Sequence, residues 1–362
     1  MKSPSPFFLL ISAFIYLSSP AAATPFLCAT PETPTCQSLV GYIPPNRTTY
    51  AAIKSLFTVK SIRSLYSANN LPPFTSPLAS IPAGATVRVP IPCACVGSSG
   101  SSSGRPIYYV KLGDGLDFIA RNIFSGFVTY QEIAAANNIS NPNLIEVGER
   151  LLIPLPCSCD AVDGTPTVHY AYLVAAGNSL ASISEEFGVQ QDSLLQINGI
   201  KDPKDLIAGQ VLDVPLRACS SSISNSSLDR NLRVANGSYV LTAKNCVRCS
   251  CSSKSWQLDC QPTQGLSNSS CPVAKCGNLF LGNTSASACE TSTCAYNGYT
   301  ASNILASLTN QSTCNGTNGL GPVPSQDNGS ALRMKVKGLN GTLLVVLQIA
   351  LVTFGLLWSG IR

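Results

Sequence analysis

Between residues 53 and 215 one skeleton is written three times, and it commits the chain to a fold built by repetition. Each copy has an Asn closing a helical pattern: Asn69 in SANNL, Asn137 in AANNI and Asn198 in QINGI. Each then has a Gly six residues ahead of a Pro: Gly84 to Pro90, Gly148 to Pro154 and Gly209 to Pro215. Between Gly and Pro lie ATVRV, ERLLI and QVLDV, whose alternation predicts a strand with one buried face. Copies recur every 61 to 68 residues, linkers included, which is the mark of like-built units in series.

The middle copy, residues 107–159, shows the full order. Ile107 to Val110 reads as a strand, and a Gly-Asp-Gly turn follows at 113–115. Leu116, Ile119, Ala120 and Ile123 then fall on one helical face. Thr129 and Glu132 form a capping box for a second helix, with Ile133 and Ala136 inward. An Asn-Pro-Asn loop leads to the closing strand. The third copy places Leu180, Ile183 and Phe187, then Leu194 and Ile197, in the same roles; Gln190 is its poorer helix cap. The first copy uses Ile53, Leu56 and Phe57, then Ile62 and Leu65. Each unit is β-α-α-β and about 45–50 residues long, a size only marginally stable alone.

The ends read differently. Residues 1–23 have Lys2, an apolar run from Phe7 to Leu17 and Ala21-Ala22-Ala23, the pattern of a secretory signal. Residues 329–362 have small residues after Asn328, a polar spacer and an apolar tail from Leu343 to Trp358, the pattern of a GPI-attachment signal with Asn328 as the attachment residue. A single membrane-spanning helix is the rival. It would leave Arg333, Lys335 and Lys337 outside and only Arg362 inside, against the positive-inside tendency. Removing both ends takes five of the 23 basic residues and none of the 18 acidic ones, leaving 18 of each. A neutral chain is not built to hold nucleic acid through its overall field.

Sixteen cysteines in a secreted chain imply disulfides. Cys28 and Cys36 precede the first unit, Cys93 and Cys95 follow it, and Cys157 and Cys159 follow the second. Six cysteines allow 15 pairings, and spacing does not choose among them. Gly97 to Gly104, a Gly/Ser run, reads as a flexible loop between units one and two. The other ten cysteines lie in 218–314, read as a loop-rich domain stapled by up to five bridges. Its Cys246-x-x-Cys249-x-Cys251 cluster, in an oxidising compartment without a nearby His, is not read as a metal site. N-glycosylation is expected at Asn46, Asn138, Asn225, Asn236, Asn268, Asn283, Asn310 and Asn315; Asn328 and Asn340 also carry the sequon.

The resulting fold class is α+β: three β-α-α-β modules cross-linked by disulfides, then a Cys-rich domain. The boundaries are 24–96 for module one with its N-terminal Cys segment, 106–159 for module two and 168–217 for module three. The Cys-rich domain takes 218–314 and a flexible stalk 315–328.

These modules resemble LysM modules, and the Cys-x-Cys separators resemble those of plant LysM receptor ectodomains. Signal, three modules, Cys-rich tail and anchor signal together look like the plant GPI-anchored LysM proteins, the group of the chitin elicitor-binding protein. The segments GSYVLTAKNCVRCSC and TCAYNGY look nearest the branch implicated in peptidoglycan sensing. The resemblance implies that Cys28 pairs with Cys95, Cys36 with Cys159, and Cys93 with Cys157. It also implies a groove for N-acetylglucosamine glycans between two loops. In module two these are Lys111, Leu112, Gly113, Asp114, Gly115, Leu116 and Asp117, and Ser140, Asn141, Pro142, Asn143, Leu144, Ile145 and Glu146.

The residues suit such a groove. Gly113 and Gly115 free the backbone for close approach. Asn141 and Asn143 offer donors and acceptors, while Leu144 and Ile145 offer apolar surface to an acetyl methyl. The plainer reading is a turn, with Asp114 ahead of a helix. Module two is preferred because the sequon at Asn46 lies in module one's first loop; module three, with Gly177-Asn178-Ser179 and Lys201 to Lys204, is the second candidate. Asn138 is itself a sequon beside module two's second loop. No Trp platform is present, since Trp256 lies in the Cys-rich tail and reads as a packing residue. One groove alone would therefore bind modestly, with avidity gained along a polymer, possible self-association included.

Catalysis and cofactors are not expected. The one His, His169, reads as an ordinary strand-end residue, and no nucleophile constellation surrounds it. Asp114 with Asp117 and Glu185 with Glu186 are close carboxylate pairs in the modules, and neither is placed to flank a cleft as glycosidases require. The implied partners are chitin or peptidoglycan oligosaccharides, a LysM receptor-like kinase as co-receptor, and the outer plasma-membrane leaflet through GPI. The alternative is a wall-glycan tether without a signalling role.

Overall fold

The computed structural model describes residues 26–28, 35–267 and 270–312. The signal, the stalk, the anchor signal and the sequons at Asn268, Asn315, Asn328 and Asn340 therefore lie outside the described residues, as does Cys314. Among the described residues no helix is long and apolar enough to cross a membrane.

Module one runs β1 (Thr35–Tyr42), α1 (Tyr50–Leu56), α2 (Ile62–Ala68) and β2 (Val87–Val96). A further strand, β3 (Ser99–Ser102), pairs back onto β2. Module two runs β4 (Ile107–Tyr109), α3 (Leu116–Phe118) continuing as a π-turn over Ile119–Ile123, α4 (Tyr130–Ala136) and β5 (Arg150–Leu152). Module three runs β6 (Thr167–Leu173), α5 (Leu180–Phe187), α6 (Gln191–Ile197) and β7 (Val211–Cys219).

The recurring Asn is a lock between the second helix and the last strand. In module two, Asn137 Nδ2 donates to the Ile133 and Leu152 carbonyls at 2.7 and 2.8 Å, and Oδ1 accepts from the Leu152 N–H at 2.7 Å. Asn69 does the same with Leu65 and Arg88, and Asn198 with Leu194 and Asp213. An amide has both donors and acceptors, so one side chain satisfies both backbone groups of a strand residue. The residue after each lock, Asn70, Asn138 or Gly199, turns left-handed with φ of 52–61°. The recurring Gly is a second lock. Gly84, Gly148 and Gly209 have φ of 78–88°, and their N–H groups donate to Pro44, Val110 and Val174. These bonds bring the start of each module's first loop beside the end of its second.

The predicted cores hold in most places: Ile62 and Ile197 are half-buried outside the core clusters, and Leu195 packs against the module three core instead. Leu116, Ile119, Ala120 and Ile133 are buried, but Ala136 is exposed and Ala134 faces inward. The capping box at Thr129 and Glu132 is formed, while Gln190 makes no side-chain cap bond.

Modules one and three join into one sheet. Its order is β8-β7-β6-β1-β2-β3, where β8 (Val234–Ala235) comes from the Cys-rich segment. The junction is a parallel pair, Leu39 with Tyr170 and Val40 with Ala171. Module two keeps its own two-stranded sheet, β4 with β5. It shares a core with module one through edge-on rings, Tyr42–Phe57 at 5.0 Å, Phe57–Phe124 at 5.6 Å and Tyr108–Phe124 at 6.0 Å.

The disulfides Cys28–Cys95, Cys36–Cys159 and Cys93–Cys157 are all formed, as the resemblance implied. The run from 97 to 104 is not a flexible loop, however. Within it β3 is hydrogen-bonded to β2, and Gly100 lies so close to the Cys157 carbonyl that an added Cβ would sit 2.0 Å from it. Ser102 is buried, donating to the Ile153 carbonyl at 3.0 Å and accepting from the Leu155 N–H at 2.9 Å. At Gly100 a larger residue would not fit, while Gly97 and Gly104 turn left-handed with φ of 64° and 66°.

The Cys-rich segment is also more ordered than its composition suggests. It forms a sheet of β9 (Tyr239–Thr242), β10 (Val247–Cys251) and β11 (Leu258–Pro262), and another of β12 (Thr284–Ala286), β13 (Glu290–Tyr299) and β14 (Ile304–Ser312). Cys219–Cys251, Cys246–Cys271, Cys249–Cys260 and Cys276–Cys294 bridge it. The Cys246/Cys249/Cys251 cluster is thus consumed by three separate bridges. Trp256 packs under the Arg217 guanidinium, 4.1 Å from its ring centroid.

Candidate functional site

In module two the strand pair β4–β5 aligns Tyr109 with Arg150, and the ladder continues through Val110 N–H to the Glu149 carbonyl at 3.0 Å and Gly148 N–H to the Val110 carbonyl at 2.8 Å. Both candidate loops therefore open from neighbouring points at one end of the sheet.

The first loop is shaped by Asp114. Its Oδ2 accepts from the Tyr108 hydroxyl at 2.7 Å and from the Lys111 N–H at 2.8 Å, while the Asp114 N–H donates to the Lys111 carbonyl at 3.1 Å. Burial and then this carboxylate push the Tyr108 phenol well above its ordinary range, so it stays a donor. Module three repeats the device with Asn178, which accepts from the Tyr172 hydroxyl at 2.7 Å and the Ala175 N–H at 3.0 Å. Asp114 is thus a turn-forming residue. Gly113 and Gly177 both have φ of 88°, where a Cβ is strained. Leu116 is 2% exposed and anchors the loop in the core rather than facing outward. Asp117 is paired with Arg121 at 2.7 Å in solvent.

Gly115 is a different matter. It is the N-cap of α3 with φ −122° and ψ 160°, the same angles as Ser179 at the start of α5. Ser179 accepts from the Ser182 N–H, and Thr49 of module one accepts from Ala52. Gly115 has no cap bond, and nothing lies within 4 Å of where its Cβ would be. Module two leaves open the spot that its sisters fill with a hydroxyl.

The second loop is held by its own side chains. Asn141 Oδ1 accepts from the Asn143 N–H at 3.1 Å, and Glu149 accepts from the Glu146 N–H at 3.1 Å. Ile145 is half-buried against the core, and Pro142 is half-buried. Ser140, Asn143 and Glu146 are exposed. Around these loops stand apolar side chains that no core needs: Leu112 at 91% exposure, Leu144 at 73% and Val147 at 65%. Isolated exposed leucines are ordinary, but three on two adjoining loops form a patch. Val147 was not among the sequence candidates; its signal was an apolar residue just ahead of the Gly148 lock. Asn138, at the exit of α4, is exposed, as are Asn46, Asn225, Asn236, Asn283 and Asn310.

His169 is not an ordinary strand-end residue. It is 3% exposed, its Nδ1 lies 2.9 Å from both Asp213 carboxylate oxygens and its Nε2 lies 2.8 Å from the Asp160 carbonyl. Both ring nitrogens face pure acceptors, so both donate and the ring is an imidazolium. Burial alone would lower its pKa; the Asp213 charge and these hydrogen bonds raise it instead.

Comparison with known proteins places this geometry. The LysM domain model matches residues 108–154 and 172–215, which are modules two and three. The chain is 47% identical over 298 residues to the chitin elicitor-binding protein of Oryza sativa subsp. japonica, covering 82% of this chain and 83% of that one. It is 43% identical over 302 residues to LysM domain-containing GPI-anchored protein 2 of Arabidopsis thaliana, covering 82% and 85%. Among solved structures it is similar to the ectodomain of a receptor-like kinase, at 22% identity and a TM-score of 0.43 over 49% of this chain and 90% of that one.

Proposed function

The chain belongs to the plant LysM domain-containing GPI-anchored proteins, and from that premise we propose that it is a cell-surface receptor for N-acetylglucosamine polymers, with module two as the principal groove. The observation that carries this reading is the 47% identity, along most of both chains, to a protein named for binding a chitin elicitor. Chitin-type oligomers are accordingly the first ligand to test, with peptidoglycan second.

The ligand would lie across the two loops of module two. Its acetyl methyl groups would meet Leu112, Leu144 and Val147, and its acetamido oxygen the backbone opened at Gly115. Lys111, Gly113, Asn143 and Glu146 are on the same loops and available to hydroxyls, whereas Asp114 and Asn141 hold the loops in shape. In this reading GPI attachment at Asn328 would hold the chain on the outer leaflet of the plasma membrane. The receptor would therefore present its ligand to a transmembrane LysM receptor kinase, and polymeric glycan could gather several copies.

The test is a pull-down of the secreted chain on insoluble chitin and on peptidoglycan, each competed by soluble oligomers. Retention on chitin, released by chitin oligomers, is the expected result; retention on neither would sink the reading. Leu112→Ser with Leu144→Ser should abolish retention without lowering the melting temperature. A kinase co-precipitating more strongly after ligand addition separates receptor from tether. Mass spectrometry of Asn138 sharpens the choice of module: a full-length glycan there pointing across the loops would move the groove to module three.

A further inference from the structure

The seam between modules one and three holds a second feature, which shares no residue with the module two loops. A cavity of about 290 Å³ opens there, walled by Arg88, Tyr170, Tyr172, Glu186, Phe187 and Asn70. The seam itself is built to admit one large ring. Tyr170 crosses from β6 over β1, and an added Cβ on Gly41 would sit 2.2 Å from its hydroxyl. The Arg88 guanidinium caps the Tyr170 ring, 5.6 Å from its centroid. Tyr172 and Phe187 meet edge-on at 5.3 Å, and Tyr170 and Phe187 at 5.5 Å. The Asn69 lock fixes the backbone of Arg88 from both its N–H and its carbonyl. In modules two and three the residues so locked are Leu152 and Asp213, so of the three only module one places a cation at this position, and its guanidinium also hydrogen-bonds Tyr170.

The charges on the wall are the informative part. Arg88 and Glu186 line the same cavity, yet among the described residues neither is in an ion pair. A guanidinium only donates and a carboxylate only accepts. A neutral hydroxylated ring answers both, since each hydroxyl is donor and acceptor at once. An anion would be opposed by Glu186 and a cation by Arg88. The ring's C–H face would lie on the Tyr172 and Phe187 surface, and aromatic side chains supply broad apolar area for that purpose.

We propose that this seam cavity is a second saccharide site, accepting one neutral pyranose unit between Arg88 and Glu186 against Tyr172 and Phe187. The choice of ligand rests on the glycan reading above; the place does not. Two sites with no residue in common let one polymer, or two strands of a wall, engage a single ectodomain, and raise avidity without a Trp platform. Because the cavity is walled by two modules, occupying it also favours the joined arrangement over a separated one.

The experiment is hydrogen exchange of the full secreted chain with and without chitotriose, followed peptide by peptide, on the wild type and on an Arg88→Met/Glu186→Gln variant. Glu186→Gln is isosteric and Arg88→Met keeps an unbranched but shorter, uncharged chain, and the melting temperature of the variant controls for folding. The expected result is protection at 84–90 and 184–190 as well as at 110–117 and 140–147 in the wild type. In the variant the seam protection is lost at the same ligand concentration, corresponding to at least a roughly tenfold weaker seam site, while the module two protection stays. Protection at module two alone in the wild type overturns the seam site and leaves the receptor reading standing. Seam protection unchanged in the variant also overturns it, as a structural echo of binding elsewhere. Protection nowhere overturns both readings together.

Discussion

Modules two and three share one backbone plan and are fastened to module one by different means. Module two has a private sheet, and it is tied by Cys36–Cys159, Cys93–Cys157 and a shared aromatic core. Module three has no cysteine between 160 and 218; it is held by the β1–β6 pairing, a core it shares with Leu39 and Ala68 of module one, and the buried His169–Asp213 pair. Covalent ties act at a few points and leave the rest of a module's surface uncommitted. The sheet junction takes only two residue pairs, Leu39 with Tyr170 and Val40 with Ala171, and gathers the rings of Tyr170, Tyr172 and Phe187 beside it.

The largest effect should come from breaking the noncovalent side. Asp213→Ala leaves His169 buried with Nδ1 unpartnered and only the Asp160 carbonyl still facing Nε2, a change that costs about 3–5 kcal/mol. Hydrogen exchange should rise across module three while module two stays protected; equal loosening of both would show that the fastenings are not separate. The same pair gives module three a pH signature. The His169 pKa is raised in the folded state, so its stabilisation is complete below the unfolded value of about 6.5 and is lost as pH rises through the higher folded value. Alkaline titration of the wild type should loosen module three first, and Asp213→Ala should lose that dependence.

Next in size is the covalent side. Replacing Cys93 and Cys157 together by Ser opens a bridge spanning 64 residues and should lower stability by about 2–4 kcal/mol in a denaturant titration. Here module two should loosen first. A smaller step compares the locks directly. Asn198 is 4% exposed and Asn137 half-buried, so water can replace more of what Asn137→Ala removes. Both substitutions strand a strand residue's N–H and carbonyl, at about 1–3 kcal/mol, with Asn198→Ala at the upper end. Equal midpoints for the two variants would contradict the difference in burial.

Much of this was legible in the chain. The repeating Asn and Gly marked both locks, and Thr129 with Glu132 marked a helix start, because those signals depend on neighbours in sequence. What stayed hidden depends on partners far away. The Gly/Ser run at 97–104 looks mobile until Gly100 meets Cys157 and Ser102 meets Ile153. His169 looks idle until a strand 44 residues on delivers Asp213. The parallel pairing of β1 with β6 leaves no local trace, since either strand would read the same at a sheet edge. At the candidate site the glycines and exposed leucines were readable. For Asp114 the turn and the ligand reading stood side by side, and that Asn141 serves its loop was hidden, because an Asx turn and a ligand site use the same residues.

The smallest change bears most directly on function. Gly115 and Ser179 have identical backbone angles, and open space surrounds the missing Cβ, so Gly115→Ser can be built without strain. A serine there would cap α3 as Ser179 caps α5, adding a few tenths of a kcal/mol over glycine. Module two would become more like module three, and slightly more stable. The added hydroxyl would also occupy the space and the N–H group that the proposed glycan uses. The expected outcome is a small rise in melting temperature together with weaker retention on chitin. Stability and binding moving in opposite directions is what separates an opening kept for a ligand from a cap that was merely absent; a variant that melts higher and binds chitin unchanged would assign Gly115 no part in the groove.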